Sequence, residues 1–318
     1  PQPLLRDERA VGASRLAGGP SLRGRSHVRA HVLGPDARRV LAVPSSVPAP
    51  DPIAPLAGCP CCNAGKPAPD STARRYTFEI AREYPHDPQA FTQGLVWENG
   101  RLYESTGAVG GPSTLREVDL ESGGIIRITE VPGVFAEGLA SLRDGRLVQL
   151  TWKDGQAYLC ERDSFKILRT FRYDGEGWGL AWNGEHLIMS DGSATLRFRD
   201  PETFEVRREI TVRDGSRPIR NLNELEWIHD RIWANIWQSD WVIMINPEDG
   251  QVEGWLSLER LLPDALRAGR NVDVLNGIAW DSEKDRIFFT GKRWPRLYEL
   301  RIKENTEPSD TKSQPKAP

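Results

Sequence analysis

Five positions in this chain share a place in a repeated phrase and differ in chemistry: Gln93, Glu137, Trp178, Asn223 and Asn276. Each stands directly before one copy of the phrase. The copies are Gly94-Leu95-Val96-Trp97, Gly138-Leu139-Ala140-Ser141, Gly179-Leu180-Ala181-Trp182, Glu224-Leu225-Glu226-Trp227 and Gly277-Ile278-Ala279-Trp280. A repeat kept for structure alone would keep its residue there. One carboxylate, three amides and an indole instead form a small asymmetric set. A second equivalent place carries Trp152 in "LTWKDG", Trp237 in "NIWQSD", and Lys292 and Trp294 in "FTGKRW", while Phe91 and Phe135 precede the first two phrases. A lone carboxylate does not hold Ca²⁺ or Mg²⁺, which need several oxygen ligands. With no His at the five positions a zinc site is not expected either. Neither a Gly-x-Ser-x-Gly elbow nor a pair of acids is present, which weakens hydrolase readings. What remains is proton transfer without metal or cofactor. An aromatic, partly dry pocket raises the pKa of Glu137 into a range useful for acid/base work. Amides and an ammonium can hold a carbonyl oxygen as it gains charge.

The elements that must position these residues follow from the spacing. The phrases start 44, 41, 45 and 53 residues apart, a period of propeller blades or helical arrays. Each is followed by a turn and then by an alternating run: "RLYES", "RLVQL", "HLIMS", "RIWAN" and "RIFFT". Period-2 alternation broken by Gly, Asn, Asp and Pro marks β-hairpins. Four short strands per repeat make one blade, so the expected fold is an all-β, five-bladed β-propeller. The fifth repeat is one strand short, and "YTFEIAREYP" at 76–85 is a strand with no repeat of its own. It is expected to close the ring as the missing outer strand, leaving no open edge at the seam. Leu256, Leu258, Leu261 and Leu262 in "LSLERLLPDALRAG" suit a short helix inserted after the fourth blade. In this geometry the residue before each phrase stands on the rim of the central channel.

Outside the repeats the composition changes. All 26 Phe, Trp and Tyr residues lie at or beyond Tyr76, whereas 12 of the 24 prolines fall within the first 72 of the 318 residues. Such a segment buries too little apolar surface to offset chain ordering. Residues 1–75 therefore read as a disordered Pro-rich arm, 76–302 as the catalytic propeller and 303–318 as a disordered tail. The net charge is −3, and an acidic domain with interspersed charges argues against nucleic acid as a partner. No run of 18 apolar residues provides a transmembrane segment. "LAGC" at 56–59 looks like a lipid-attachment box, with Cys59 as a weak anchoring candidate, and periplasmic or secreted export is the favoured expectation. Cys59, Cys61 and Cys62 lack a second ligand pair at metal spacing, and Cys160 stands by itself in the folded part. A closed propeller needs no partner to finish its sheets, so a monomer is expected.

The segments "YPHDPQAFTQGLVWENGRLYESTG", "FAEGLA", "LTWKDG", "LNELEW" and "LNGIAW" resemble the plant-type glutaminyl-peptide cyclotransferases, or glutaminyl cyclases, which also occur in bacteria. The resemblance runs from about Tyr76 to Leu300 and does not cover the arm. It implies a five-bladed propeller and an aminoacyltransferase that converts N-terminal Gln of peptides or proteins to pyroglutamate with release of ammonia. It also implies a pocket of Phe91, Gln93, Phe135, Glu137, Trp152, Trp178, Asn223, Trp237 and Lys292, with Glu137 moving protons and Asn223, Gln93 and Lys292 holding the γ-amide in interchangeable roles. No metal is implied. Two other readings stay open: a propeller that only binds peptides, and a metal-dependent lactonase or esterase propeller.

Overall fold

The computed structural model describes residues 66–67 and 71–305. Most of the arm, Cys59, Cys61, Cys62 and the tail beyond 305 lie outside the described residues. The chain begins its regular structure with a long strand, β1 (Arg74–Pro85). Three four-stranded antiparallel sheets follow, each in simple up-and-down order. The first is β2 (Thr92–Glu98), β3 (Arg101–Thr106), β4 (Ser113–Val118) and β5 (Ile125–Val131). The second is β6 (Ala136–Ser141), β7 (Arg146–Thr151), β8 (Gln156–Glu161) and β9 (Ile167–Arg172). The third is β10 (Leu180–Trp182), β11 (Leu187–Met189), β12 (Thr195–Arg199) and β13 (Val206–Thr211). A small hairpin, β14 (Arg213–Asp214) and β15 (Arg217–Pro218), precedes β16 (Leu222–Ile228), β17 (Arg231–Ile236), β18 (Trp241–Ile245) and β19 (Val252–Ser257). One helical turn, α1 (Asp264–Arg267), leads to β20 (Leu275–Asp281), β21 (Arg286–Gly291) and β22 (Arg296–Glu304).

The seam is as the strand count requires. β1 pairs antiparallel with β22, from Tyr76 opposite Glu304 to Pro85 opposite Arg296. It also pairs in parallel with β19 at Arg74–Gly254 through Tyr76–Leu256. That second pairing was not expected, and it merges the last two four-stranded groups into one eight-stranded sheet. Among the described residues the strands thus run from Arg74 to Glu304, two positions beyond Tyr76 and Ile302 at either end. The expected short helix is present as α1, but without the leucines assigned to it. Leu256 belongs to β19 and Leu258, Leu261 and Leu262 are buried outside any helix, because they fill the space between neighbouring sheets. Pro263, with ψ of 146°, keeps the turn from extending back to the leucines, and Ala268, with ψ of 124°, ends it.

Turn chemistry sets the hairpins. Asn99 and Gly100 join β2 to β3 with φ of 50° and 75°, the left-handed pair that a two-residue hairpin needs. His229 and Asp230 make the same connection from β16 to β17 without a glycine, at 48° and 59°. The inner strands β2 and β6 are buried at every residue, while β5 and β9 on the outside are mostly exposed. Inner strands are covered on both faces, so they lose the alternation that outer strands keep.

Among the described residues the core divides into five clusters, each shared by two successive strand groups. Val96 and Leu115 meet Leu139 and Leu147, and Leu150 and Leu159 meet Leu180 and Leu187. Ile188 and Phe198 meet Leu225 and Ile243, and Trp233 and Met244 meet Phe289 and Tyr298. Phe288 and Leu297 finally meet Leu95 and Trp97 of the first group. The inner strands touch in the matching order β2–β6–β10–β16–β20 and back to β2.

Those contacts are backbone to backbone. A methyl at Gly138 would stand 2.6 Å from the Leu180 nitrogen, and one at Gly179 would overlap the Asn223 carbonyl. Gly138→Ala should therefore destabilise the fold by about 1–3 kcal/mol through overpacking. Urea denaturation of that variant is the check, and an unchanged midpoint would mean that the inner strands have room to spare.

Candidate active site

The residue before each phrase is set apart by the ladder itself. Between β2 and β3 the register slips between Thr92 and Gly94, skipping Gln93. The same slip skips Glu137 and Gly138 in β6, Asn223 and Glu224 in β16, and Asn276 and Gly277 in β20. A bulge frees a side chain from the alternation of its strand and re-aims it. Trp178 lies just before β10, bonded from its backbone N–H to the Ser190 carbonyl at 3.0 Å.

Side chains of the second strand in one group then fix the bulges of the next group. Ser105 Oγ donates to the Glu137 carbonyl at 2.5 Å and Ser190 Oγ to the Asn223 carbonyl at 2.7 Å. Asn235 Oδ1 accepts from the Gly277 N–H at 3.1 Å. Sequence reasoning missed these three. The available signal was a polar residue at the same place in the runs "RLYES", "HLIMS" and "RIWAN".

Polar members of the site are deeply buried: Gln93 and Asn223 at 2% exposed, Lys292 at 4% and Glu137 at 5%. Gln93 Nε2 donates to Glu137 Oε1 at 3.1 Å. Around them the aromatic rings form a continuous wall. Lys292 Nζ lies 4.9 Å from the centre of the Phe91 ring. Phe91 meets Phe135 edge-on at 6.2 Å, and Phe135 meets Trp152 at 5.7 Å. On the other side Trp178 and Trp237 meet edge-on at 5.5 Å. The two halves are joined by a residue absent from the expected set: Glu176 Oε2 accepts from Trp152 Nε1 at 2.8 Å and from Trp178 Nε1 at 2.9 Å. The Asn223 side chain makes no hydrogen bond within the described residues, which leaves its amide available to a ligand.

Two expected members are placed differently. Trp294 is fully buried, donates from Nε1 to the Asp273 carbonyl at 2.9 Å and packs on Tyr298, so it is core beneath the Lys292 loop and not part of the collar. Asn276 donates to the Thr92 carbonyl at 3.0 Å, tying β20 to β2. The Lys292 loop is held by a buried network. His86 reaches the Trp294 carbonyl at 2.6 Å and Glu104 Oε1 at 3.1 Å, and Thr92 Oγ1 donates to the same Glu104 oxygen at 2.6 Å. Arg116 completes it, 3.0 Å from Glu104 Oε2.

Electrostatics separate the carboxyls. Burial pushes the Glu137 carboxyl well above the usual range, Lys292 opposes this and Glu176 adds to it. Burial likewise lowers the Lys292 ammonium, against the pull of Glu137 and Asp273. Glu104 is just as buried, yet Arg116 and His86 outweigh burial and hold it at about 2. Deeper in the ring, Glu224 replaces the glycine of the fourth phrase. Its carboxyl accepts from the Leu95 N–H at 3.3 Å and the Ile278 N–H at 2.9 Å, and burial, then Glu226, push its pKa well up. No group of three or more His, Cys, Asp or Glu stands together as a metal site among the described residues.

A family model described as glutamine cyclotransferase matches residues 54–302. The chain belongs to that family. It is 43% identical over 239 residues to the glutaminyl-peptide cyclotransferase of Arabidopsis thaliana, a span of 74% of each chain. It is also similar to the crystal structure of Myxococcus xanthus glutaminyl cyclase. That match has a TM-score of 0.69 at 40% identity and covers 73% of this chain and 99% of the other. The expectation drawn from the resemblance is thereby met at the level of the family.

The raised pKa of Glu137 has a consequence for stability. Between the ordinary carboxylate range and its own raised pKa the native state holds a proton that the unfolded chain has released, so stability falls as pH rises through that window. Glu137→Gln removes the cost while its amide remains close to the size of the acid. It should gain on the order of 1 kcal/mol at pH 8, roughly 2–4 °C in Tm, with the gain vanishing below about pH 4. Thermal scans at both pH values decide this; an equal Tm at pH 8 would show that Glu137 is ionised at no cost.

Proposed function

We propose that this chain is a glutaminyl-peptide cyclotransferase. It converts N-terminal Gln of a peptide or protein to pyroglutamate and releases ammonia, on a five-bladed propeller. Support for the blade count comes from the cyclic order of the inner strands and from five core clusters, the last of which returns to the first group. The eight-stranded sheet then counts as two blades joined where β1 meets β19. Such a ring leaves no inner strand in need of a partner, in keeping with a monomer.

The observation that carries the reaction is Glu137: a buried carboxyl of raised pKa, bonded to Gln93, facing Lys292 and walled by aromatic rings. The substrate's α-amine must be neutral to attack the γ-carbonyl of its own side chain. Glu137 takes a proton from that nitrogen as the new N–C bond forms, and returns it to the departing amine as the old C–N bond breaks. One ammonia leaves and a five-membered lactam remains. Lys292, Gln93 and Asn223 supply donors for the oxygen that gains charge in the tetrahedral state. Trp152, Trp178 and Trp237, with Phe91 and Phe135, keep the side chain folded back on its amine. Because the reaction is intramolecular, that confinement supplies much of the rate. None of these steps needs a metal.

A Gln-initiated peptide should release ammonia and give a product lighter by one ammonia, with and without EDTA. Peptide recovered unchanged would leave a binding propeller, and activity abolished by EDTA would favour the metal-dependent hydrolase reading. Glu137→Gln should lower kcat about 10²–10⁴-fold with a much smaller change in KM. Near-normal turnover in that variant would remove Glu137 from the mechanism.

A further inference from the structure

Glu176 lies in the loop between β9 and β10, two residues before Trp178, and it is only partly buried. Its geometry is unusual for a surface acid. One oxygen, Oε2, takes the indole N–H of both Trp152 and Trp178, at 2.8 and 2.9 Å. Those rings come from different strand groups, Trp152 following β7 and Trp178 preceding β10. An indole N–H lies in the plane of its ring, so the two bonds aim both ring planes at one atom. The bonds are charge-assisted and correspondingly strong. The loop itself is anchored on the same residue, since the Gly177 N–H donates to the Trp152 carbonyl at 2.9 Å. Lys153 closes the outside, its Nζ 3.8 Å from the centre of the Trp152 ring and 3.8 Å from Glu176 Oε1. Behind Trp178, Gly192 leaves no room for a β-carbon. That ring therefore packs directly on the Gly192 backbone.

We propose that Glu176 is a positioning residue for the cyclisation: by holding both indole N–H groups on one carboxylate oxygen it sets Trp152 and Trp178 as the two walls of the slot for the substrate's Gln side chain. This rests on the cyclotransferase reading above. Glu176 need not touch the reacting atoms, because it acts through the two rings. Its charge has a second effect. The groups facing Glu137 are Lys292 from the β21–β22 turn, Glu176, and Tyr173 at the end of β9, whose hydroxyl donates to the Thr151 carbonyl. Of these, Glu176 is the like charge that holds the Glu137 proton more tightly.

The test compares Glu176→Ala and Glu176→Gln in the full chain. The alanine variant loses both acceptors and should raise KM for a Gln-initiated tripeptide about 10–30-fold, with kcat within about 3-fold. Its near-UV circular dichroism should change as the indoles reorient. A glutamine carbonyl can still accept the N–H groups, so Glu176→Gln should keep KM within about 3-fold of the parent. It should also move the acid limb of the kcat/KM profile to lower pH, since Glu137 has lost its like-charged neighbour. Unchanged KM and dichroism in Glu176→Ala would overturn the proposal, as would an acid limb that stays in place in Glu176→Gln. Binding of the same tripeptide to Glu137→Gln, with and without Glu176→Ala, keeps the two readings apart. If the parent chain releases no ammonia but the second substitution weakens binding about 10-fold, the cyclotransferase reading fails and the slot stands. Equal binding in the two backgrounds sinks the slot by itself.

Discussion

Direct contact between the backbones of neighbouring inner strands is the constraint on which this molecule depends. At Gly94, Gly138 and Gly179 a single added methyl would collide with the next strand. So tight a ring brings residues more than 40 positions apart in sequence onto one rim. It also explains why the slips in register fall where they do. A regular strand would send the residue before the glycine back into the packing between sheets. The bulge releases it, and the hydroxyl or amide of the previous group's second strand holds the freed backbone in place. The repeated phrase is thus a mechanical device that slips the register in four of the five strand groups, and the letter before it is the part left open to chemistry.

Chemical character then comes from partners and not from burial alone. Glu104, Glu137 and Glu224 are all withdrawn from water, yet the first is held low while the other two are pushed up. Glu104 has a guanidinium and an imidazole within bonding distance and stays ionised. Glu224 is met only by backbone N–H groups and by another acid, and favours its proton. Glu137 likewise favours its proton, with a carboxamide in contact and an ammonium that opposes the shift. A group so placed can hold or release a proton without a large change in its surroundings, as a shuttle between amine and leaving group requires. The fourth phrase spends its glycine position on Glu224, which ties the inner strands of the first and fifth groups to its own.

The aromatic wall shows how supporting residues divide the work. Phe91 and Phe135 pack on each other and on Trp152, and Trp178 packs on Trp237. The bond from Glu176 to both indoles joins the two halves of the wall across the mouth. On the opposite side the buried network of His86, Glu104, Thr92 and Arg116 fastens the start of β2 to the loop bearing Lys292. One side of the pocket is held by a charge at the surface, and the other by a charge network in the interior.

Much of this was legible in the sequence, because repetition and alternation are local signals. The phrases spaced by about one blade marked the inner strands. The orphan strand at 76–85 announced its pairing with the last repeat, and the residues before four of the phrases fall at the slips in register. Trp294 was misplaced because an aromatic at a strand end has the same sequence signature in core as in pocket. The four leucines from Leu256 to Leu262 were misassigned because a helix stripe and the filling of a gap between sheets can show the same spacing. Glu224, Ser105, Ser190 and Asn235 went unread because their partners lie on other strand groups, and Glu176 because one of its two partners does; no local pattern records a hydrogen bond between strand groups. The sequence by itself determined the all-β repeat, the candidate acid and its aromatic neighbours. Only the tertiary structure decided which polar groups meet, since closing the ring both chooses their partners and removes the water that would otherwise level their pKa values.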